Sequence, residues 1–114
     1  AKKISRVFIR HGKYVDAIQV EWEMMNGNKV WSRKAGGNGG RGTMITLAHD
    51  EYIITVKGGA GRFVDSLTFK TNKGRTFGRN GGAGGAQFSL TIQDGIKGFS
   101  GKSGNVLDKI GMIY

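Results

Sequence analysis

The sequence predicts an all-β protein, and three observations lead to that prediction. Short runs alternate apolar and polar residues with a period of two, as half-buried strands do. No window of helical length keeps an apolar stripe free of glycine. The 114 residues include 21 glycines and no proline, which indicates many tight turns between ordered strands. This length is that of one domain, residues 1–114, with a core of its own.

The alternation marks six strands in chain order. They are predicted at residues 7–9, 17–22, 52–56, 66–69, 88–92 and 110–114. Glu21 and Glu23 alternate along the second of these runs and are interpreted as a solvated strand face.

A short turn, Gly-x-Φ-Φ-Asp with Φ apolar, precedes three of the predicted strands. It occurs at residues 12–16, 61–65 and 104–108. A single copy would be interpreted as a β-turn in which glycine takes a positive φ and aspartate bonds its own backbone. Three copies, each with one carboxylate, instead predict a repeated binding site rather than one active site.

Two double-glycine loops follow the first two turns at similar distances. Their sequences are Gly-Gly-Asn-Gly-Gly at 36–40 and Gly-Gly-Ala-Gly-Gly at 81–85. The third turn has no such loop after it. In a threefold arrangement that loop would precede residue 1. The sequence therefore predicts two complete sites and leaves the third, at Asp108, open.

These turns and loops, together with the segments 66–78 and 101–111, resemble the jacalin-related lectins over nearly the whole chain. The resemblance implies a β-prism I fold, in which three four-stranded antiparallel Greek-key sheets are related by pseudo-threefold symmetry. It further implies a non-enzymatic, multivalent lectin that binds mannose-type glycans or glycoproteins and needs no metal or other cofactor.

In that family the sugar lies between an aspartate turn and the adjacent glycine loop. Asp16 should then pair with the loop ending at Gly40, and Asp65 with the loop ending at Gly85. An ionised carboxylate can accept two hydroxyl protons, and the turn N–H groups can donate to sugar oxygens. The implied carbohydrate-binding residues are Lys13, Tyr14, Asp16, Gly40, Arg62, Phe63, Asp65, Gly85, Asn105, Val106 and Asp108.

The formal net charge of +10 supports an alternative function, the binding of anionic polymers such as sulfated glycans or nucleic acid. The segment 75–79, with Phe77 between Arg75 and Arg79, combines basic and aromatic residues as single-strand binders do. Charge alone does not separate the two kinds of polymer.

Other chemistries have no motif in this sequence. There is no cysteine, no Gly-Lys-Ser/Thr after a glycine loop and no Gly-x-Ser-x-Gly elbow. No apolar run is long enough to insert into a membrane, and no segment is of the signal-peptide type. Secreted and cytoplasmic locations, and monomer and homo-oligomer, all stay open.

Overall fold

The computed structural model describes residues 2–103 and 107–114, which form eleven strands and no helix. The strands are β1 (Lys3–His11), β2 (Val15–Glu23), β3 (Lys29–Trp31), β4 (Ala35–Gly36), β5 (Arg41–Thr46), β6 (Ile53–Ala60), β7 (Val64–Thr71), β8 (Thr76–Gly81), β9 (Ala86–Thr91), β10 (Gly98–Ser103) and β11 (Leu107–Ile113). In this part of the chain nothing qualifies as a helix that could cross a membrane.

The strands form three antiparallel sheets, each built on a hairpin. The first sheet has the order β3-β2-β1-β5, with β4 also pairing with β2. The second has the order β8-β7-β6-β9, and the third consists of β10 and β11. In the first two sheets the last strand returns to lie beside the first, which is the Greek-key arrangement.

The inner faces of the three sheets share one core. Strands β2, β7 and β11 each contact the other two. Alternation sends Ile9, Leu67, Phe69 and Leu107 inward, where all four are fully buried. The ring of Phe69 packs against that of Phe99 on β10 with centroids 5.8 Å apart. Each buried side chain of this size contributes about 1.5–3 kcal/mol, and none could be buried by its own sheet alone.

All six predicted strands are present, with ends that agree to within one residue or extend further. The third sheet has two strands in the described residues, whereas four were expected. In the other two sheets the flanking strands come from the segment after the hairpin.

The interpretation of Glu21 as a solvated residue was wrong. Its side chain accepts hydrogen bonds from Ser5 and from two nitrogens of Arg6, at 2.8, 2.9 and 2.9 Å. The residue is only 3% exposed. The bonds to Arg6, the largest cause, lower the pKa of Glu21. The alternation placed this residue correctly on the strand but could not show which cation covers it.

A second buried carboxylate, Glu51, ties the first sheet to the second. It lies between β5 and β6 and accepts from Arg75, from the Thr71 hydroxyl at 2.7 Å and from the Ala48 N–H at 2.9 Å. Arg75 also donates to the Thr46 carbonyl of β5 at 3.0 Å. The hydrogen bonds from Arg75 lower the pKa of Glu51 from 4.5 to about 2.

This pKa predicts an acid-sensitive fold. Because the folded-state pKa lies below 4.5, ionised Glu51 stabilises the fold above that pH, and the stabilisation disappears as the pH falls towards about 2. We expect Glu51→Gln to lower the free energy of unfolding at pH 7 by about 2–3 kcal/mol and to flatten its decline below pH 4.5. Urea denaturation at pH 7 and pH 3 measures both effects. Glu23→Gln is the matched control, and equal losses in the two variants would contradict the assignment.

Candidate functional site

The turns at Asp16 and Asp65 have the same backbone geometry. In the first, the Gly12 N–H donates to the Tyr14 carbonyl at 3.0 Å, and in the second the Gly61 N–H donates to the Phe63 carbonyl at 2.9 Å. The register of each hairpin also shifts at equivalent positions just before the turn. The sequence repeat is therefore a structural repeat.

Each glycine loop folds back onto the aspartate of the turn with which it was predicted to pair. The Gly37 N–H donates to the Asp16 carbonyl and the Gly82 N–H to the Asp65 carbonyl, both at 2.9 Å. We call the Asp16 turn with loop 36–40 site 1, and the Asp65 turn with loop 81–85 site 2.

The last glycine of each loop touches the carboxylate. Gly40 and Gly85 have φ values of 68° and 84°, which strongly favour glycine. A Cβ on Gly40 would lie 2.4 Å from Asp16 Oδ2, and one on Gly85 would lie 2.3 Å from Asp65 Oδ2. The close approach exists because neither residue has a side chain.

Both carboxylates are available to a ligand. Within the described residues, Asp16 and Asp65 accept no hydrogen bond through their side chains and form no ion pair. Asp65 is only 9% exposed. In the described chain, every fully buried side-chain oxygen has a hydrogen-bond partner. Because the Asp65 oxygens have no such partner, they are not fully buried and reach solvent. An unpaired carboxylate held among backbone groups is an acceptor prepared for hydroxyl or N–H donors.

The same turns and loops also contain backbone N–H groups that have no partner in the described chain. Six N–H groups at the two sites donate to no acceptor within the described chain. They belong to Lys13, Tyr14, Arg62, Phe63, Gly40 and Gly85. The sites therefore offer acceptors and donors together, as a polyhydroxylated ligand requires.

Sites 1 and 2 lie side by side and contact each other. The rings of Tyr14 and Phe63 meet edge to face, with centroids 5.2 Å apart. A Cβ on Gly82 would lie 2.4 Å from the Lys13 carbonyl oxygen, so the loop of site 2 packs directly against the turn of site 1. The sequence predicted the two sites but not this contact, because residues 13 and 82 are far apart in the chain.

Arg10 is a site residue that the sequence analysis missed. Its Nε and Nη2 donate to the carbonyls of Gly39 and Gly40, both at 3.0 Å, and so brace the loop of site 1. The equivalent residue in the second hairpin is Gly59, whose backbone lies directly beside Gly84. The arginine lies outside the turn motif, so nothing in the repeat marked it.

His11, at the end of β1, is 8% exposed and shares a 2.8 Å hydrogen bond with Thr43. Burial and the charge of Arg41 lower the pKa of His11, against the opposing effect of Asp16. His11 is therefore neutral near pH 7 and contributes no cation to site 1.

The third turn is only partly described. Asp108 is the second residue of β11 and is half-buried. Asn105 and Val106, which were also predicted as site residues, lie outside the described residues.

Neither candidate site is a deep cavity. A groove of about 300 Å³ lies elsewhere, between β2, the segment 32–35 and β10. Residues 2–103 and 107–114 contain no group of histidine and acidic side chains that could hold a metal ion. The sites are thus shallow surface features, which suits the end of a ligand rather than an enclosed molecule.

Comparison with known proteins gives consistent matches. The family model described as "Jacalin-like lectin domain" matches residues 1–113. Jacalin-related lectin 3 of Arabidopsis thaliana is 40% identical over 96% of this chain, which spans only 20% of that protein. Griffithsin from Griffithsia sp. is 30% identical, over 97% of this chain and 84% of griffithsin. A galactose-specific lectin of Morus indica is 51% identical over 54% of this chain and 42% of its own.

Solved structures agree with these sequence matches. The artocarpin–mannotriose complex superposes with a TM-score of 0.89 and is 33% identical, covering 97% of this chain and 82% of artocarpin.

The geometry predicts that a methyl group at either loop end disrupts its site. We expect Gly85→Ala and Gly40→Ala to cost about 1–2 kcal/mol for the positive φ and about 1–3 kcal/mol more for the clash with the carboxylate and with the backbone of Ala60 or His11. Gly74→Ala is the matched control, because Gly74 has a φ of 80° and nothing within 4 Å of its Cβ position. Chemical denaturation measures all three. A loss for Gly85→Ala no larger than that for Gly74→Ala would refute the close contact.

Proposed function

The chain belongs to the jacalin-like lectin family, whose members are carbohydrate-binding proteins of β-prism I fold, and on that premise we propose that it binds mannose-type glycans through sites 1 and 2. Griffithsin, whose site pattern the three turns suggested, is among its relatives. Because the chain spans a fifth of Jacalin-related lectin 3, the proposal concerns this domain and not a larger protein.

The observation that carries the proposal is the unpaired carboxylate of each site, enclosed by glycine backbone. A sugar must exchange its hydrogen bonds with water for bonds to protein, so a site needs acceptors and donors at close range. Asp16 and Asp65 each accept two hydroxyl protons in charge-assisted bonds. The Gly40 and Gly85 N–H groups, with those of the turns, donate to ring and hydroxyl oxygens.

Aromatic side chains complete the two sites differently. Tyr14 and Phe63 are both half-buried, and each stands two residues before the aspartate of its site. Such a ring can pack on the apolar C–H face of a sugar. Tyr14 adds a hydroxyl that Phe63 lacks, so we assign the tighter binding to site 1.

Mannose is the sugar named for several of the similar solved structures. Artocarpin, which matches over 97% of this chain, is seen with mannotriose and with methyl α-mannose. The galactose-specific relative matches over about half the chain. We therefore propose mannose rather than galactose as the sugar.

Adjacent sites favour branched ligands. A shallow site binds one sugar near the millimolar end of affinity, about −4 kcal/mol. Two sites that engage the same glycan gain about two to four orders of magnitude without any new contact. The Asp108 turn, with Asn105 and Val106, is the candidate for a third site of the same kind.

Catalysis is not part of the proposal. The family is one of lectins, and each site contributes a single carboxylate. Glycoside hydrolysis in most families needs two carboxyl groups that flank the scissile bond.

The nucleic-acid alternative depended on the basic and aromatic side chains of the segment 75–79. Phe77 is partly buried and packs against the core, so its ring is not a free stacking surface. Arg75 is paired with buried Glu51 rather than directed at a ligand.

We expect Asp16→Asn and Asp65→Asn each to weaken methyl α-mannoside binding at its own site by about 10- to 100-fold, the value of a charge-assisted hydrogen bond. The double variant should abolish binding at both sites while remaining folded. A ¹⁵N-HSQC titration reports the sites separately, through the amides near residues 13–16 and 40 and those near 62–65 and 85. Asp94→Asn, an exposed acid outside both sites, is the control.

The same titration tests the sugar. Binding of methyl α-mannoside should change little between low and high salt, because the ligand is neutral. Unchanged binding in the double variant would end the proposal. Equal shifts with methyl α-galactoside would retain the sites and overturn the preference for mannose.

A further inference from the structure

The outer face of the second sheet carries a groove lined by threonine, serine and lysine residues. Its volume is about 250 Å³, and its lining residues are Thr55, Lys57, Thr68, Lys70, Thr76 and Ser89. Gly78 on β8 leaves the groove open, since a Cβ there would lie 2.7 Å from Thr68 Oγ1. We call this surface the lysine–hydroxyl face.

The first sheet shows that this composition is not required by the fold. The two hairpins align through their equivalent register shifts, so Arg6 and Glu21, which pair across β1 and β2, correspond to Thr55 and Lys70 across β6 and β7. Arg6 and Glu21 neutralise each other in an ion pair at 2.9 Å. In the second sheet the equivalent acid is replaced by a lysine.

The neighbouring pair differs in the same direction. Phe8 faces Met44 in the first sheet, and the corresponding residues, Lys57 and Ser89, face each other in the second. An apolar pair and an ion pair are thus replaced together by two lysines and two hydroxyls, on the same structural frame.

The positive charge of the face is not compensated by the protein. Lys57 and Lys70 are both exposed, and neither forms an ion pair within the described residues. Strands β6 to β9 contain one acid, Asp65, which belongs to site 2. Lys57 lies opposite Thr68, and Lys70 is two residues further along β7, so the lysines are diagonal neighbours with Cα atoms about 7–8 Å apart.

From this placement we propose that the lysine–hydroxyl face binds sulfated glycan chains, independently of sites 1 and 2. Ammonium groups supply donors only, and threonine and serine hydroxyls can turn theirs outward. Such a surface suits an acceptor-only ligand, and sulfate is one. Two cations on a diagonal match a polymer with repeated anions better than a single small ion.

Nucleic acid fits this face less well. Single-stranded nucleic acids are held by aromatic side chains on which bases stack, as well as by cations. No aromatic residue lines the groove. A sulfated glycan needs no stacking surface and offers hydroxyls of its own to the threonines.

The test compares variants that change the face with variants that change only the net charge. Lys57→Gln/Lys70→Gln removes both cations of the face. Lys29→Gln/Lys109→Gln removes two exposed lysines on β3 and β11, so it has the same net charge. Isothermal titration with a size-defined heparin oligosaccharide at low salt measures affinity, and thermal unfolding verifies the fold. We expect the first variant to bind about five- to tenfold more weakly and the second to change by less than twofold.

A third variant separates local placement from charge. Thr55→Arg/Lys70→Glu installs on the second sheet the pair that the first sheet already holds, so it should fold, and it lowers the net charge by only one. We expect its heparin affinity to fall less than that of Lys57→Gln/Lys70→Gln, because Lys57 remains, but more than that of Lys29→Gln/Lys109→Gln, although it removes less charge.

Equal losses of heparin affinity in the two glutamine variants would overturn the proposal. So would the absence of heparin binding by the unmodified protein. If the face variants bound an oligonucleotide more weakly but heparin equally well, nucleic acid would replace the sulfated glycan as the proposed ligand. Methyl α-mannoside binding should be unchanged in all these variants, so failure here stays distinct from failure of sites 1 and 2.

Discussion

The shared apolar core is the constraint on which the rest of the structure depends. A hairpin with one apolar face cannot bury that face by itself. Here the inner strands β2, β7 and β11 bury one another's apolar faces, since each contacts the other two. This arrangement leaves the turns of the first two hairpins as neighbours, where Tyr14 and Phe63 meet. The position of the candidate binding sites is therefore a consequence of how the core closes.

The sites themselves depend on missing side chains. Gly40 and Gly85 bring backbone against a carboxylate that no other group of the described chain bonds, and a single Cβ would occupy that space. The protein thereby keeps two carboxylate acceptors without donors from the described chain. Such an arrangement is costly in a core but inexpensive at a surface that water still reaches. A ligand with hydroxyl groups can replace that water.

Four of the eight acids of this basic chain form two groups with different roles. Glu21 and Glu51 are buried, and each is neutralised by an arginine that it holds in place. Asp16 and Asp65 are unpaired and lie at the candidate sites. Lys57 and Lys70, the exposed lysines on β6 and β7, form no ion pair within the described residues. The net charge of +10 is thus unevenly distributed over the surface.

The sequence by itself determined the all-β class, six strands and the repeated turn with its glycine loops, because these follow from local periodicity and from where glycine is required. The pairing of each turn with its loop was implied by the resemblance to the jacalin-related lectins. It did not reveal β3, β4, β5, β8 or β10, which are short or interrupted by glycine and so lack clear alternation. Arg10 at the loop of site 1, the burial of Glu21, the Tyr14–Phe63 contact and the lysine–hydroxyl face were decided only by the tertiary structure. Each joins residues from different strands or loops, and a single sequence contains no signal for contacts made across space.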